Sequence, residues 1–153
     1  MTEEQARGRF EQSRIARLAT ADAAGRPHIV PMVFALLSRD AAQARPTDTI
    51  YSAVDAKPKR STSLRRLANV AANPRVAVLV DHYDEGWDEL WWVRADGIGR
   101  VLGAREVEAR DAIARLVARY PQYRAQPPHG PVLAIDVTRW SSWSASKSRP
   151  VMR

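Results

Sequence analysis

The stretch Arg14–Phe34, RIARLATADAAGRPHIVPMVF, decides the fold. In its first part Ile15, Arg17 and Ala19 alternate with Ala16, Leu18 and Thr20, the period-2 pattern of a strand with one face covered. ADAAGRP follows as a turn, and HIVPMVFALL from His28 reads as the returning strand, so the pair predicts a hairpin. Pro31 has no N–H to give a ladder, which places it at a sheet edge or a bulge, where backbone groups can turn towards a ligand.

Outward from this hairpin the chain alternates short apolar runs with few helices. Thr2 and Gln5 form a capping box with Glu3 and Glu4 in the first turn, predicting a helix to about Ser13. Ser38–Asp48 is polar, carries Pro46 and reads as a connection long enough to cover a pocket, and TIYSAV (49–54) reads as a strand. Leu64, Leu67, Ala68 and Ala71 repeat at helical spacing, in a helix that ends near Asn73 and Pro74. RVAVLVD (75–81) is a β-branched strand, and LWWVRADGIGRVLG (90–103) is a long one in which Gly97 and Gly99 mark a bend or bulge. Within it Trp91 and Trp92 point to opposite faces, so only one of them is expected to line a given pocket. A helix covers 105–120 with Ala109, Ala112, Ile113, Leu116, Val117 and Tyr120 as its apolar stripe; Pro121 ends it, a Pro-rich loop follows, and 132–146 is the last strand. Trp140 and Trp143 on that strand read as packing residues.

With so few crossover helices, a doubly wound parallel sheet is disfavoured. The expectation is a mainly β chain with peripheral helices, a closed or partly closed antiparallel barrel of six strands formed by a single domain over 1–153.

Composition narrows the chemistry. The absence of cysteine excludes disulfides, thiol catalysis and thiolate metal sites. His28, His82 and His129 have no ligand-pair spacing, so no metal is expected. No stretch approaches the roughly 18 apolar residues of a membrane span, and the charged N-terminus has no leader-like apolar core, which points to a cytoplasmic protein without a membrane partner. A formal charge of +7 favours an anionic partner. The basic residues form no stripe with interleaved aromatics, which argues against nucleic acid. They do concentrate in KPKRSTS (57–63), ahead of the helix: Lys57, Lys59 and Arg60 with Ser61, Thr62 and Ser63 offer charged and neutral donors beside a helix N-terminus, the chemistry of a phosphate site or else a solvated basic loop.

Taken in order, these residues resemble a family. IARLATADAAGRPHIVPMVF looks like the opening of the split-barrel flavin-binding proteins related to pyridoxamine 5′-phosphate oxidase. KPKR, then LRRLANVAANPRVAVLVD, DEGW and RADGIGRV are similar to its actinobacterial branch of F420-dependent oxidoreductases. The resemblance spans nearly the whole chain and implies a six-stranded split barrel of the FMN-binding type. It further implies a homodimer with cofactor sites at the interface, and F420, a phosphorylated deazaflavin with an oligoglutamate tail, or alternatively FMN. By the same resemblance Lys57, Lys59, Arg60 and Ser61 hold the cofactor phosphate. Val30, Pro31, Met32 and Val33 lay their backbone against the ring, and Trp87 reaches in from the other protomer. Both cofactors are anionic, in keeping with the basic chain. The implied function is hydride transfer to a small organic substrate, with no protein acid–base residue required. The alternatives are an FMN flavoprotein and a non-catalytic cofactor- or haem-binding protein. His28 is either a proton donor or a surface histidine. The C-terminus lacks a counterpart of the segment that holds substrate phosphate in the pyridoxamine oxidases, which argues against that substrate.

Overall fold

The computed structural model describes residues 1–54 and 61–145, with residues 61–64 entering as helical backbone. Helix α1 (Glu3–Gln12) starts on the predicted capping box, Gln5 N–H donating to Thr2 Oγ1 at 3.1 Å and Thr2 N–H to Gln5 Oε1 at 2.9 Å. Its buried residues are Ala6 and Phe10, one turn apart on a single face. Strands β1 (Ala16–Ala21) and β2 (Pro27–Met32) form the predicted hairpin, in register from Ala16 opposite Met32 to Ala21 opposite Pro27. The turn is set by Asp22, whose carboxylate accepts from Ala24 N and Arg26 N at 2.9 Å each and from Arg26 Nε at 2.7 Å.

Then follow β3 (Ala35–Leu37), a 3-10 turn (Ala41–Gln43), β4 (Thr49–Ala53), α2 (Ser61–Ala72), β5 (Arg75–His82), a 3-10 turn (Trp87–Glu89), β6 (Trp91–Leu102), α3 (Val107–Arg119), α4 (Pro121–Ala125) and β7 (Val132–Ser144). All pairings between these strands are antiparallel, in one seven-stranded sheet of order β2-β1-β5-β6-β7-β4-β3. The two edges, β2 and β3, are consecutive in the chain and separated only by Val33 and Phe34, so the sheet curls back on itself and is split at that joint. This is the half-barrel architecture expected, with one strand more because the run from His28 breaks there as the chain passes from one edge to the other.

Backbone groups at the joint lose their ladder partners and take side chains instead. Ser52 Oγ donates to Val33 O at 2.9 Å, Phe34 N donates to Tyr120 Oη at 3.2 Å, and Tyr120 Oη lies 2.9 Å from both Phe34 O and Arg14 O. Arg119 adds a hydrogen bond to Ser13 O and lies 4.8 Å over the Phe34 ring. The end of α3 thus clasps the split.

Two apolar clusters sit on opposite faces of the sheet. Inside the curl, Phe10 is fully buried, 4.9 Å from Phe34 and 5.1 Å from Trp140 between ring centroids, with Leu18, Ile50, Val78, Val93, Ile135 and Val70 of α2 around it. Burying each such side chain stabilises by about 1.5–3 kcal/mol before chain entropy is counted. Outside, α3 covers β3, β4 and β7 through Ala109, Ala112, Leu116 and Tyr120, and β4 is buried along its whole length.

The predicted irregularity in β6 falls between Asp96 and Gly97, where Thr138 of β7 is the extra residue. A Cβ on Gly97 would stand 2.6 Å from Asp136 O and 2.7 Å from Ile135 Cγ2, so only glycine allows the strands this close. Pro121 ends α3 as expected, but the segment after it, read as a Pro-rich loop, begins with a short helix that Pro121 itself opens, since a proline at the first turn needs no N–H donor there.

Candidate functional site

Of the residues predicted to bind a cofactor, Lys57, Lys59 and Arg60 lie outside the described residues, and Ser61 is the first residue of α2. The strand predicted to carry the ring, β2, is an edge strand that among the described residues pairs only with β1. Pro31 is exposed opposite Arg17; Val30 is half-buried against the inner core, and Met32 is buried in it. Val33 is half-buried on the other side, against the cluster under α3. Val30, Pro31 and Met32 therefore lie on a strand edge that has no strand partner among the described residues, where a planar ligand can lie against main chain, while the Val33 carbonyl is taken by Ser52 Oγ.

Val33 also borders a cleft of about 580 Å³ whose walls are Arg14, Ile15, Tyr120, Pro121, Gln122 and Tyr123. Ile15 is 52% exposed there, more than an isolated core-type residue needs. None of these flanking residues was singled out as site residues; an exposed Ile15 ahead of β1 was the available signal.

Among the described residues no helix covers the outward face of β1, β5 and β6: α1 and α2 pack on the inner side and α3 on β3, β4 and β7. Ile29, Trp143 and Ile98 on this face are 65%, 42% and 39% exposed. A cleft of about 530 Å³ lies here, with Arg17, Leu79, Trp92, Arg94 and Trp143 among its walls. Arg17 pairs with Asp81 at 2.9 Å and Arg94 with Asp96 at 3.1 Å. Trp91 borders the same cleft, against the expectation that only one of the two neighbours would. It is the first residue of its strand, where its ring stacks 6.1 Å from His82 and under Arg9 at 5.0 Å, and so rims the cleft from the sheet's end. Trp87 is 70% exposed on the 3-10 turn leading into β6.

The register separates two ends. Pro31, Arg17, Leu79, Trp92 and Trp143 lie towards the end from which the Trp87 turn emerges. Ala53, at the exit of β4, pairs with Val132, and Val132 with Leu102, at the other end.

Other polar clusters anchor the frame. Arg100 binds Glu108 through two bonds of 2.9 Å and Asp136 through bonds of 2.7 and 3.1 Å, while Tyr51 Oη donates to Glu108 Oε2 at 2.8 Å. The Arg100 guanidinium holds the Glu108 carboxyl below its usual range, and burial, then Glu108, push the Tyr51 phenol up. This ties α3 to the sheet. Buried Asp48 accepts from Arg39 N at 2.7 Å and from Trp140 Nε1 at 2.8 Å, so the 38–48 connection is pinned at β7. Trp140 is thus a hydrogen-bonding residue as well as a packing one.

At the inner side of β2, His28 is partly exposed, but its Nδ1 is buried without a hydrogen-bond partner among the described residues. Across the ladder lies Thr20, 4% exposed, whose Oγ1 accepts from Asn69 Nδ2 of α2 at 3.1 Å.

Among solved structures, the chain is similar to conserved hypothetical protein Rv2991 from Mycobacterium tuberculosis, with 23% identity, 95% of this chain and 86% of that chain covered, and a TM-score of 0.70. An FAD-binding protein from Mesorhizobium loti shares 21% identity over 93% and 94% of the two chains at a TM-score of 0.65. HutZ, the haem storage protein from Vibrio cholerae, shares 16% over 94% and 95%, also at 0.65. No curated protein matches the sequence. The family model described as pyridoxamine 5′-phosphate oxidase matches residues 2–144. With that match over nearly the whole sequence, on a split antiparallel barrel, the chain belongs to the pyridoxamine 5′-phosphate oxidase family of flavin-binding folds.

Proposed function

We propose that the protein is an oxidoreductase that uses the deazaflavin F420 to reduce a small organic substrate. The observation that carries this reading is the edge position of β2, with Pro31 exposed and Val33 opening onto a cleft. When bound, the deazaflavin supplies a ring carbon that carries the hydride. Val30–Val33 give the ring a main-chain seat, and Pro31 removes one N–H that would otherwise call for a strand partner. Lys57, Lys59, Arg60 and Ser61 neutralise the phosphate at the start of α2. The cleft of Arg14, Ile15 and Tyr123 receives the substrate beside Val33, and the Tyr120 hydroxyl keeps that joint rigid. No side chain of the site is assigned a proton, which solvent supplies.

Two copies are proposed to meet through the bare face of β1, β5 and β6, covering Ile29 and Trp143 and carrying Trp87 to the partner's site. A chain of charge +7 suits the oligoglutamate tail of F420. FMN is the second reading, favoured by the flavin-binding character of the matched family. Titration of the purified protein with F420 and with FMN, followed by ligand fluorescence, separates the two. F420 is expected to bind more tightly, and Lys57→Ala with Lys59→Ala to weaken it. Absence of F420 binding ends the first reading, and FMN binding alone establishes the second.

A further inference from the structure

The cleft beside Val33 has apolar walls and one cation. Ile15, Val33 and Pro121 supply aliphatic surface, and Tyr120 and Tyr123 supply aromatic surface, their rings meeting edge to face at 6.1 Å between centroids. At about 580 Å³ it has the size of a small-molecule site, where such walls are combined with a few polar groups that fix orientation. None of its walls is acidic, and the charged one is Arg14.

Arg14 is exposed, yet it is held at both ends. Its carbonyl accepts from Tyr120 Oη at 2.9 Å, and its Nη1 donates to Arg119 O in the last turn of α3 at 3.2 Å, with the guanidinium 6.0 Å from the Tyr120 ring. The negative end of a helix suits a cation there, but its partial charge of roughly half a unit does not neutralise one. Among the described residues no carboxylate pairs with Arg14, whereas Arg17 on the following strand meets Asp81 at 2.9 Å. Arg119 brings a second guanidinium to 5.3 Å from the Tyr120 ring, also with no carboxylate partner among the described residues. A guanidinium has five N–H donors, and its Nε and Nη2 form a two-pronged edge that matches the two oxygens of a carboxylate. With Nη1 engaged by Arg119 O, that edge of Arg14 has no hydrogen-bond partner among the described residues.

We propose that the substrate of this cleft is a small carboxylate with a flat apolar body, and that Arg14 is the residue that selects it. The carboxylate takes the Nε–Nη2 edge of Arg14, and the body lies against Ile15, Pro121 and the tyrosine rings, surfaces that favour a flat partner. An uncharged molecule of the same shape keeps the apolar contacts and loses the paired charge. The proposal rests on the reading of this cleft as the substrate pocket, and it adds the chemical class of what enters.

The test is calorimetric titration with cinnamate and with cinnamamide, its neutral isostere, on wild type, Arg14→Gln, Arg14→Lys and Arg75→Gln, each first shown to melt as a folded protein. Wild type is expected to bind cinnamate on the order of tenfold more tightly than cinnamamide. Arg14→Gln should lose that preference with cinnamamide affinity unchanged, and Arg14→Lys, which keeps the charge without the two-pronged edge, should keep only part of it. Arg75→Gln removes the same charge from the start of β5 and should leave the preference intact. No binding of cinnamate, equal affinity for the two probes, a preference that survives Arg14→Gln, or an equal loss in Arg75→Gln overturns the proposal; if the same protein binds F420, the proposed function stands without it. A preference that depends on Arg14 in a protein that does not bind F420 upholds the carboxylate site and ends the deazaflavin reading.

Discussion

Tyr120→Phe removes one oxygen and leaves the ring, so it isolates the clasp over the split. The phenol, 7% exposed, accepts from Phe34 N at 3.2 Å and has one proton to give to Phe34 O or Arg14 O, both 2.9 Å away. Without it the Phe34 N–H and one carbonyl lose partners in a setting poorly reached by water. Leaving a buried group unsatisfied costs about 1–3 kcal/mol, and losing the hydroxyl's own desolvation returns part of this, so the net loss is ~2–3 kcal/mol. At a slope of roughly 2–4 °C per kcal/mol for a chain of this size, the Tm should fall by ~4–12 °C. Urea denaturation should show a lower midpoint at an unchanged slope, because the surface exposed on unfolding is the same. A Tm within about 1 °C of wild type, against that slope, would falsify the clasp as the partner of the joint's backbone.

Three further outcomes are expected. Gly97→Ala drives a Cβ to 2.6 Å from backbone at Asp136 and should leave the protein largely insoluble, while Gly8→Ala, with open space around it in α1, should gain about 0.5–1 kcal/mol in thermal melts; equal effects would contradict the steric account. The depressed carboxyl of Glu108 contributes stability that is present above the unfolded carboxyl range and lost as pH falls through the folded value. The Tm gap between wild type and Glu108→Gln should therefore be widest near neutrality and close in acid, and a gap constant with pH removes Arg100–Glu108 from the cause. Ile29→Asp should keep the far-ultraviolet circular dichroism of wild type yet sediment as a monomer, and a wild type that is itself monomeric refutes the proposed interface.

The hairpin, the capping box and the β6 irregularity were legible because each is local: alternation, a Thr and Gln three residues apart, a pair of glycines. The break at Val33–Phe34 was not. HIVPMVFALL is uniformly apolar, and the cause of the break is a change of sheet edge that involves Ser52 and Tyr120, both remote in sequence. α4 was missed because proline punctuates both ends of helices. The site was legible only as a strand and a basic loop. The cleft beside Val33 joins Arg14 to Tyr123 through tertiary packing, and the orphan nitrogen of His28 depends on what α2 and β1 place behind it.

An open sheet has two edges, and each is a template on which another chain can add a strand. Here the two edges are neighbours in the chain, held together by the joint that Tyr120 and Arg119 secure. Loosening that joint releases both templates at once. The first sign of damage at Tyr120 in concentrated protein should therefore be strand-mediated association of otherwise folded molecules, appearing below the melting temperature and rising with protein concentration.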